Sequence, residues 1–159
     1  MVFLANKQTV MAKRGAVRAK KINIDGIEFA SGLEGYCYKK LKEAGLDFGY
    51  ESRTFEILPS TKYMGKYQKS VPKQKAMRDY TGKSVRSITY TPDFVSDSHK
   101  FIIETKGFVP SNHSFPLRWK LFIHHLQAQG MGDYKLFMPR NQEQVNHVIK
   151  QILDAAEDE

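Results

Sequence analysis

Apolar residues along the chain fall into short periodic runs separated by polar stretches. Leu33, Cys37 and Leu41 recur at helical spacing between Ser31, a capping residue, and Gly45, a stop. That pattern predicts a helix from Ser31 to about Ala44. Before it, Ile22 to Phe29 reads as a short extended segment around an Asp25-Gly26 turn. Asp47 to Leu58 is aromatic and partly alternating (Phe48, Tyr50, then Phe55, Ile57), as in a strand. Two further strand-like runs, Ile88 to Val95 and Phe101 to Phe108, are joined by a tight Asp97-Ser98-His99 connection. Ser114-Phe115-Pro116 opens a second helix to about Gln129, built on Leu117, Leu121, Phe122 and Leu126. Tyr134 to Pro139 is a short apolar strand, and Asn141 caps a last helix carrying Val145, Val148, Ile149, Ile152 and Leu153.

The expected order is helix, three strands, helix, strand, helix. A helix between the third and fourth strands implies a parallel crossover, whereas the strands before it are joined as hairpins. The expectation is an α/β fold, a mixed sheet flanked by helices, in one domain spanning residues 22–159. Two segments stand outside the pattern. Residues 1–21 lack periodicity and read as a flexible basic arm. Residues 59–87 form a long polar insertion, which in a compact domain is functional or disordered, or holds a small hairpin.

Charge sharpens that picture. The net charge of +8 points to a polyanionic partner, nucleic acid or an anionic surface. Residues 1–21 contain Lys7, Lys13, Arg14, Arg18, Lys20 and Lys21 and no acid. Residues 59–87 contain Lys62, Lys66, Lys69, Lys73, Lys75, Arg78, Lys83 and Arg86 against the single acid Asp79. A lone cysteine, Cys37, allows no internal disulfide, so a reducing cytoplasm is the expected compartment. No apolar run approaches the ~18 residues of a membrane span, and no membrane partner is expected.

The candidate chemistry lies in TPDFVSDSHKFIIETKG, residues 91–107. A turn between Ser98 and His99 pairs Val95 with Ile102 and sets Asp93 opposite Glu104. Cross-strand partners have Cβ atoms about 4.5–5.5 Å apart, and like charges there repel. Such a pair needs a cation, a shared proton or solvent. Glu104 and Lys106, two residues apart, share a face, with Ile103 and Thr105 expected on the other. Two carboxylates with an ammonium beside them suit Mg²⁺, with Mn²⁺ as a substitute, and the hydrolysis of a phosphodiester. On a solvated edge these would be ordinary exposed charges. Inside FIIETKGF, a run apolar enough for a central strand, unpaired charges are costly.

The segments Ser31-Gly32-Leu33-Glu34, Thr91-Pro92-Asp93-Phe94 and Glu104-Thr105-Lys106-Gly107, in that order, resemble phage endonuclease I, a family of Holliday-junction resolvases within the restriction-endonuclease-like superfamily. The resemblance covers roughly residues 29–108. It implies a restriction-endonuclease-like core in the order αβββαβ with an extra C-terminal helix, and a homodimer cutting branched DNA during recombination. It implies that Asp93 and Glu104 bind the metal, that Lys106 assists the attacking water, and that Glu34 and the backbone carbonyl of Thr105 complete the site. Ser31-x-x-Glu34 is also a capping box, and the two roles for Glu34 are compatible. The 59–87 segment is longer than the bridge that links the halves of the phage dimer. An endonuclease acting on duplex DNA or transposon ends, and a non-catalytic DNA-binding protein on a nuclease-like fold, are the alternatives.

Other residues carry less. Arg118 on the second helix is a candidate phosphate contact. His124 and His125 point about 100° apart on a helix, a poor metal pair, and His99, His113 and His147 have no partner spacing. Cys37 reads as packing. Tyr63, Tyr67 and Tyr80, interleaved with lysines, suit either base stacking or solvation.

Overall fold

Asp25 and Gly26 have φ of 55° and 81°, the left-handed pair that a tight two-residue hairpin requires. They join β1 (Ile22–Ile24) to β2 (Ile27–Phe29), antiparallel and in register from Ile22↔Phe29. The computed structural model describes residues 20–107 and 113–157; the rest of the expected basic arm, residues 1–19, and Phe108 lie outside them. Helix α1 (Gly32–Glu43) starts at Ser31, whose Oγ accepts the Glu34 N–H at 3.2 Å, and ends before Gly45 at φ 67°. A Cβ on Gly35 would run into the Ile22 and Ile24 side chains, so glycine there lets the hairpin lie on the helix.

The expected Asp47–Leu58 strand is two strands in different sheets, β3 (Gly49–Tyr50) and β4 (Phe55–Leu58). Glu51, at φ 44°, breaks the extended run between them. The insertion is ordered by pairing: β5 (Thr61–Lys62), β6 (Gln68–Lys69), β7 (Arg78–Asp79) and β8 (Ser84–Val85) form nested antiparallel ladders, β5 with β8 and β6 with β7. The Ile88–Val95 run is likewise divided, into β9 (Ile88–Tyr90) and β10 (Phe94–Ser96). Between them stands Thr91-Pro92-Asp93, and a proline cannot donate to a ladder. β4 pairs with β9, so the ladders β4/β9, β5/β8 and β6/β7 follow one another along a single two-stranded arm.

The remaining elements are β11 (Phe101–Ile103), α2 (Phe115–Ala128), β12 (Lys135–Phe137) and α3 (Gln142–Glu157). Asn141 Oδ1 accepts the Gln144 N–H at 2.8 Å, the expected cap. The main sheet has the order β12-β11-β10-β3. β3, β10 and β11 are antiparallel neighbours, and β12 runs parallel to β11 across the α2 crossover. The register is Val95↔Ile102, as the turn at Ser98-His99 requires.

Helices cover both faces of this sheet, so β10 and β11 are buried throughout. Phe94, Phe101 and Ile103 pack with Cys37 and Leu41 of α1 and with Val145, Val148, Ile149 and Ile152 of α3. Val95 and Ile102, on alternate positions, pack with Phe115, Phe122 and Leu126 of α2 and with Phe55 and Tyr90 at the base of the arm. Leu117 and Leu153, expected on packed faces, are exposed. Each lies off its helix's buried stripe, Leu117 about 200° around from Phe115 and Leu153 about 100° from Ile152. The result is a mixed α/β sandwich with a β-arm projecting from one layer.

Candidate active site

Asp93 immediately precedes β10 and Glu104 immediately follows β11. The pairing Phe94↔Ile103 therefore brings the two acids together just past the end of the ladder. The Glu104 strand is held on its other side as well. Its N–H donates to the Phe137 carbonyl at 3.0 Å, and that of Lys106 to the Pro139 carbonyl at 3.0 Å. The Glu51 N–H donates to the Asp93 carbonyl at 2.8 Å. Backbone bonds thus position each acid, as a site requiring fixed geometry needs.

Asp93 Oδ2 accepts from both the N–H and the hydroxyl of Thr105, each at 2.7 Å. The Thr105 side chain therefore meets Asp93 instead of turning away from the cluster. The ladder ends at Ile103, and strict alternation of faces does not extend past it. Glu104 is 4% exposed; Oε1 accepts the Lys106 ammonium at 2.7 Å, and Oε2 is buried with no partner. The Lys106 ammonium also lies 4.3 Å from the Phe115 ring centroid, so α2 holds it over the carboxylate.

Glu34 occupies its capping role. Oε1 accepts the Ser31 hydroxyl at 2.9 Å, and Oε2 accepts the Ala30 N–H at 3.1 Å and the Tyr50 hydroxyl at 2.8 Å. Its charge still reaches Asp93. Burial, then the Glu104 charge, then that of Glu34 push the Asp93 carboxyl up to about 7, against the two hydrogen bonds from Thr105. Burial holds the Cys37 thiol far above its ordinary value, with the Asp93 charge adding to it, which makes Cys37 a packing residue and no nucleophile.

Tyr90 belongs to the site although its position in the sequence did not mark it. Its hydroxyl is buried beside Glu104 but makes no hydrogen bond of good geometry, and burial, then the Glu104 charge and its nearby carboxylate as acceptor, raise its pKa and keep it a neutral donor. The ring stacks on Phe122 at 4.5 Å, with the Arg118 guanidinium 5.6 Å from its centroid. Arg118 also donates to the Thr89 carbonyl at 3.2 Å, so it braces the base of the arm. The available signal was a tyrosine in the β-prone stretch Ile88-Thr89-Tyr90-Thr91, three residues before the acid. Tyr50 was missed in the same way, as an aromatic read for packing alone.

The candidate cations fall into three groups. Lys13, Arg14 and Arg18 lie outside the described residues. Lys20 is exposed, and Lys21 pairs with Glu28 at 2.7 Å on an exposed edge. Lys62, Lys66, Lys69, Lys73, Lys75, Arg78, Lys83 and Arg86 are exposed along the β-arm.

Among the described residues, no three Asp, Glu, His or Cys side chains form a ready-made metal cage. Asp93 and Glu104 instead make a pair of hard oxygen donors, one with an unpartnered buried oxygen and the other with a raised proton affinity. Both features fit a divalent cation of the Mg²⁺ type, which commonly takes one or two carboxylates and keeps several waters. Residues 14–137 match DUF1064, a protein family of unknown function. The chain belongs to this family. The match takes in the whole carboxylate site, the β-arm, α2 and β12, and stops before α3. No curated protein and no solved structure matches the chain.

Proposed function

We propose that this DUF1064 protein is a metal-dependent endonuclease that hydrolyses phosphodiester bonds in DNA, with Asp93, Glu104 and Lys106 at its centre. The observation that carries the reading is two acids converging past the end of buried strands with an ammonium 2.7 Å from one of them. The order of core elements, α1, β3, β10, β11, α2, β12 and then α3, agrees with the αβββαβ arrangement and extra helix of the restriction-endonuclease-like proteins that the sequence resembles. By the same resemblance the substrate is branched DNA, Holliday junctions first, and the acting form is a homodimer.

Asp93, Glu104 and the Thr105 carbonyl would hold Mg²⁺ or Mn²⁺. The ion would supply charge neutralisation at the phosphate and a water of lowered pKa. Thr105 fixes the Asp93 carboxylate through two hydrogen bonds, leaving Oδ1 for other partners. Lys106 offers a proton-bearing cation beside the carboxylates, where charge develops on the phosphate oxygens. Tyr90 offers a neutral hydroxyl at the same place. Glu34, engaged on both oxygens, acts by its field and by anchoring α1 and Tyr50.

The direct test is cleavage of end-labelled four-way junction, flap, duplex and single-stranded DNA with and without Mg²⁺. Metal-dependent cutting that favours the junction supports the whole reading. Metal-dependent cutting without preference supports the chemistry and removes the junction. Absence of cutting under all conditions, with DNA still bound, would favour a binding protein on a nuclease-like fold.

A further inference from the structure

The β-arm is an element without a core of its own kind. Neither buried apolar cluster receives a residue between Leu58 and Ile88, and its strands β5 to β8 are exposed throughout. Its order comes from pairing and from a small aromatic knot. Tyr67 and Tyr80 pack at 5.8 Å, with Tyr63 beside Tyr67 at 6.5 Å. The Lys69 and Lys83 ammoniums lie over the Tyr80 ring at 4.4 and 5.1 Å. The Tyr80 N–H donates to the Tyr67 carbonyl at 2.7 Å and that of Gly82 to the Tyr63 carbonyl at 3.0 Å. Asp79, the one acid of the segment, accepts the Thr81 N–H at 2.8 Å. It is therefore committed to holding the turn and pairs with none of the cations among the described residues.

Lys62, Lys66, Lys73, Lys75 and Arg86 are left exposed, in no ion pair or cation–π contact among the described residues. An ordered strand pair that buries little, and whose cations form no ion pair among the described residues, is shaped to meet something else. We propose that the β-arm is the duplex-gripping element of the molecule, laid along or into a groove of double-stranded nucleic acid. The dimensions agree. From Phe55 to Lys69 the chain reaches at most ~45 Å at the usual rise per strand residue. A turn of B-form duplex is ~34 Å, and the major groove admits a two-stranded ribbon. The base of the arm adjoins the carboxylates, because Tyr90 ends β9 and only Thr91 and Pro92 separate it from Asp93. A duplex held along the arm thus has one end of its track at the candidate active site. The binding claim itself does not require those carboxylates to be catalytic.

The test is binding of a fluorescent 30-base-pair duplex across a salt series, in chelator so that no cleavage intervenes. The arm variant is Lys62→Ala, Lys66→Ala, Lys73→Ala and Lys75→Ala together. The control removes equal charge elsewhere with Lys39→Ala, Lys120→Ala, Lys135→Ala and Lys150→Ala. Circular dichroism and a thermal melt confirm that both fold. The arm variant is expected to lose at least tenfold in affinity at low salt. Its slope of log affinity against log salt should fall by up to about 0.9 for each phosphate contact removed. The control should keep most of both. An unchanged slope in the arm variant overturns the proposal, as does an equal loss in the control, which would leave net charge as the cause. Phosphatidylserine vesicles form the third arm; if the variant loses vesicle binding while duplex binding persists, the partner is an anionic surface and the proposal fails.

Discussion

At the scale of single residues, the site combines the half-buried Asp93 and the buried Glu34 and Glu104 with incomplete hydrogen bonding. Tyr90 Oη and Glu104 Oε2 are the buried side-chain atoms without partners among the described residues, and both face the same cluster. Buried unsatisfied groups cost stability and are retained where they serve a site. Tyr90→Phe should therefore raise the melting temperature of the metal-free protein slightly, by about 1 kcal/mol of stability, while lowering cleavage. A destabilised Phe variant with full activity would remove Tyr90 from the site.

Asp93 makes a pH prediction. Its carboxyl holds a proton up to about pH 7 in the folded state, against about 3.9 unfolded. The folded state then binds more protons than the unfolded between those values, so stability is highest below about pH 4 from this group and is lost as pH rises toward 7. The metal-free protein should lose this part of its stability over that window, and Asp93→Asn should abolish the dependence; denaturant melts at several pH values measure it. Lys106→Ala should leave metal binding to the two carboxylates and reduce turnover by ~10² or more. A variant with normal turnover at saturating DNA would contradict the role given to Lys106.

Among the elements, the hairpin that carries the site was the most legible. The turn at Ser98-His99 and the apolar runs beside it allow one register, and a slip of one residue would exchange the side chains that fit the α1/α3 face with those that fit the α2 face. The capped helices were legible for the same local reason: Ser31, Gly45 and Asn141 act on backbone groups within a few residues. The two broken strands were not. Glu51 at positive φ is set by tertiary packing, its N–H held by the Asp93 carbonyl, and the alternation of Phe48, Tyr50, Phe55 and Ile57 continues across that break; the second break had a local signal in Pro92, which the apolar run around it outweighed. The arm was legible only as one alternative, a small hairpin within the insertion, since its ladders bury no apolar face and leave no periodicity to read.

That difference between arm and core is measurable. Phe94→Ala should cost about 3–5 kcal/mol, because the ring is fully buried between the sheet and α1. Replacing residues 60–86 with a two-residue Asn-Gly turn should leave the melting transition cooperative and close to its original temperature, since nothing buried is removed. Loss of cooperative unfolding in that deletion would show that the arm supports the core.

For the molecule as a whole, the layered sheet brings the Asp93 end of β10, the Glu104 end of β11 and the N-terminus of α1 to one end of its central strands, and roots a basic arm beside them. None of the described helices is long and apolar enough to cross a membrane. The central claim is that Asp93 and Glu104 together hold a divalent cation that cuts DNA. It is tested most directly by Mg²⁺-dependent cleavage of a labelled four-way junction by wild type, Asp93→Ala and Glu104→Ala, with junction affinity measured alongside. The account predicts cleavage by wild type alone and affinity kept or improved in both variants, because removing an acid near phosphate relieves repulsion. Undiminished cleavage by either variant would contradict it.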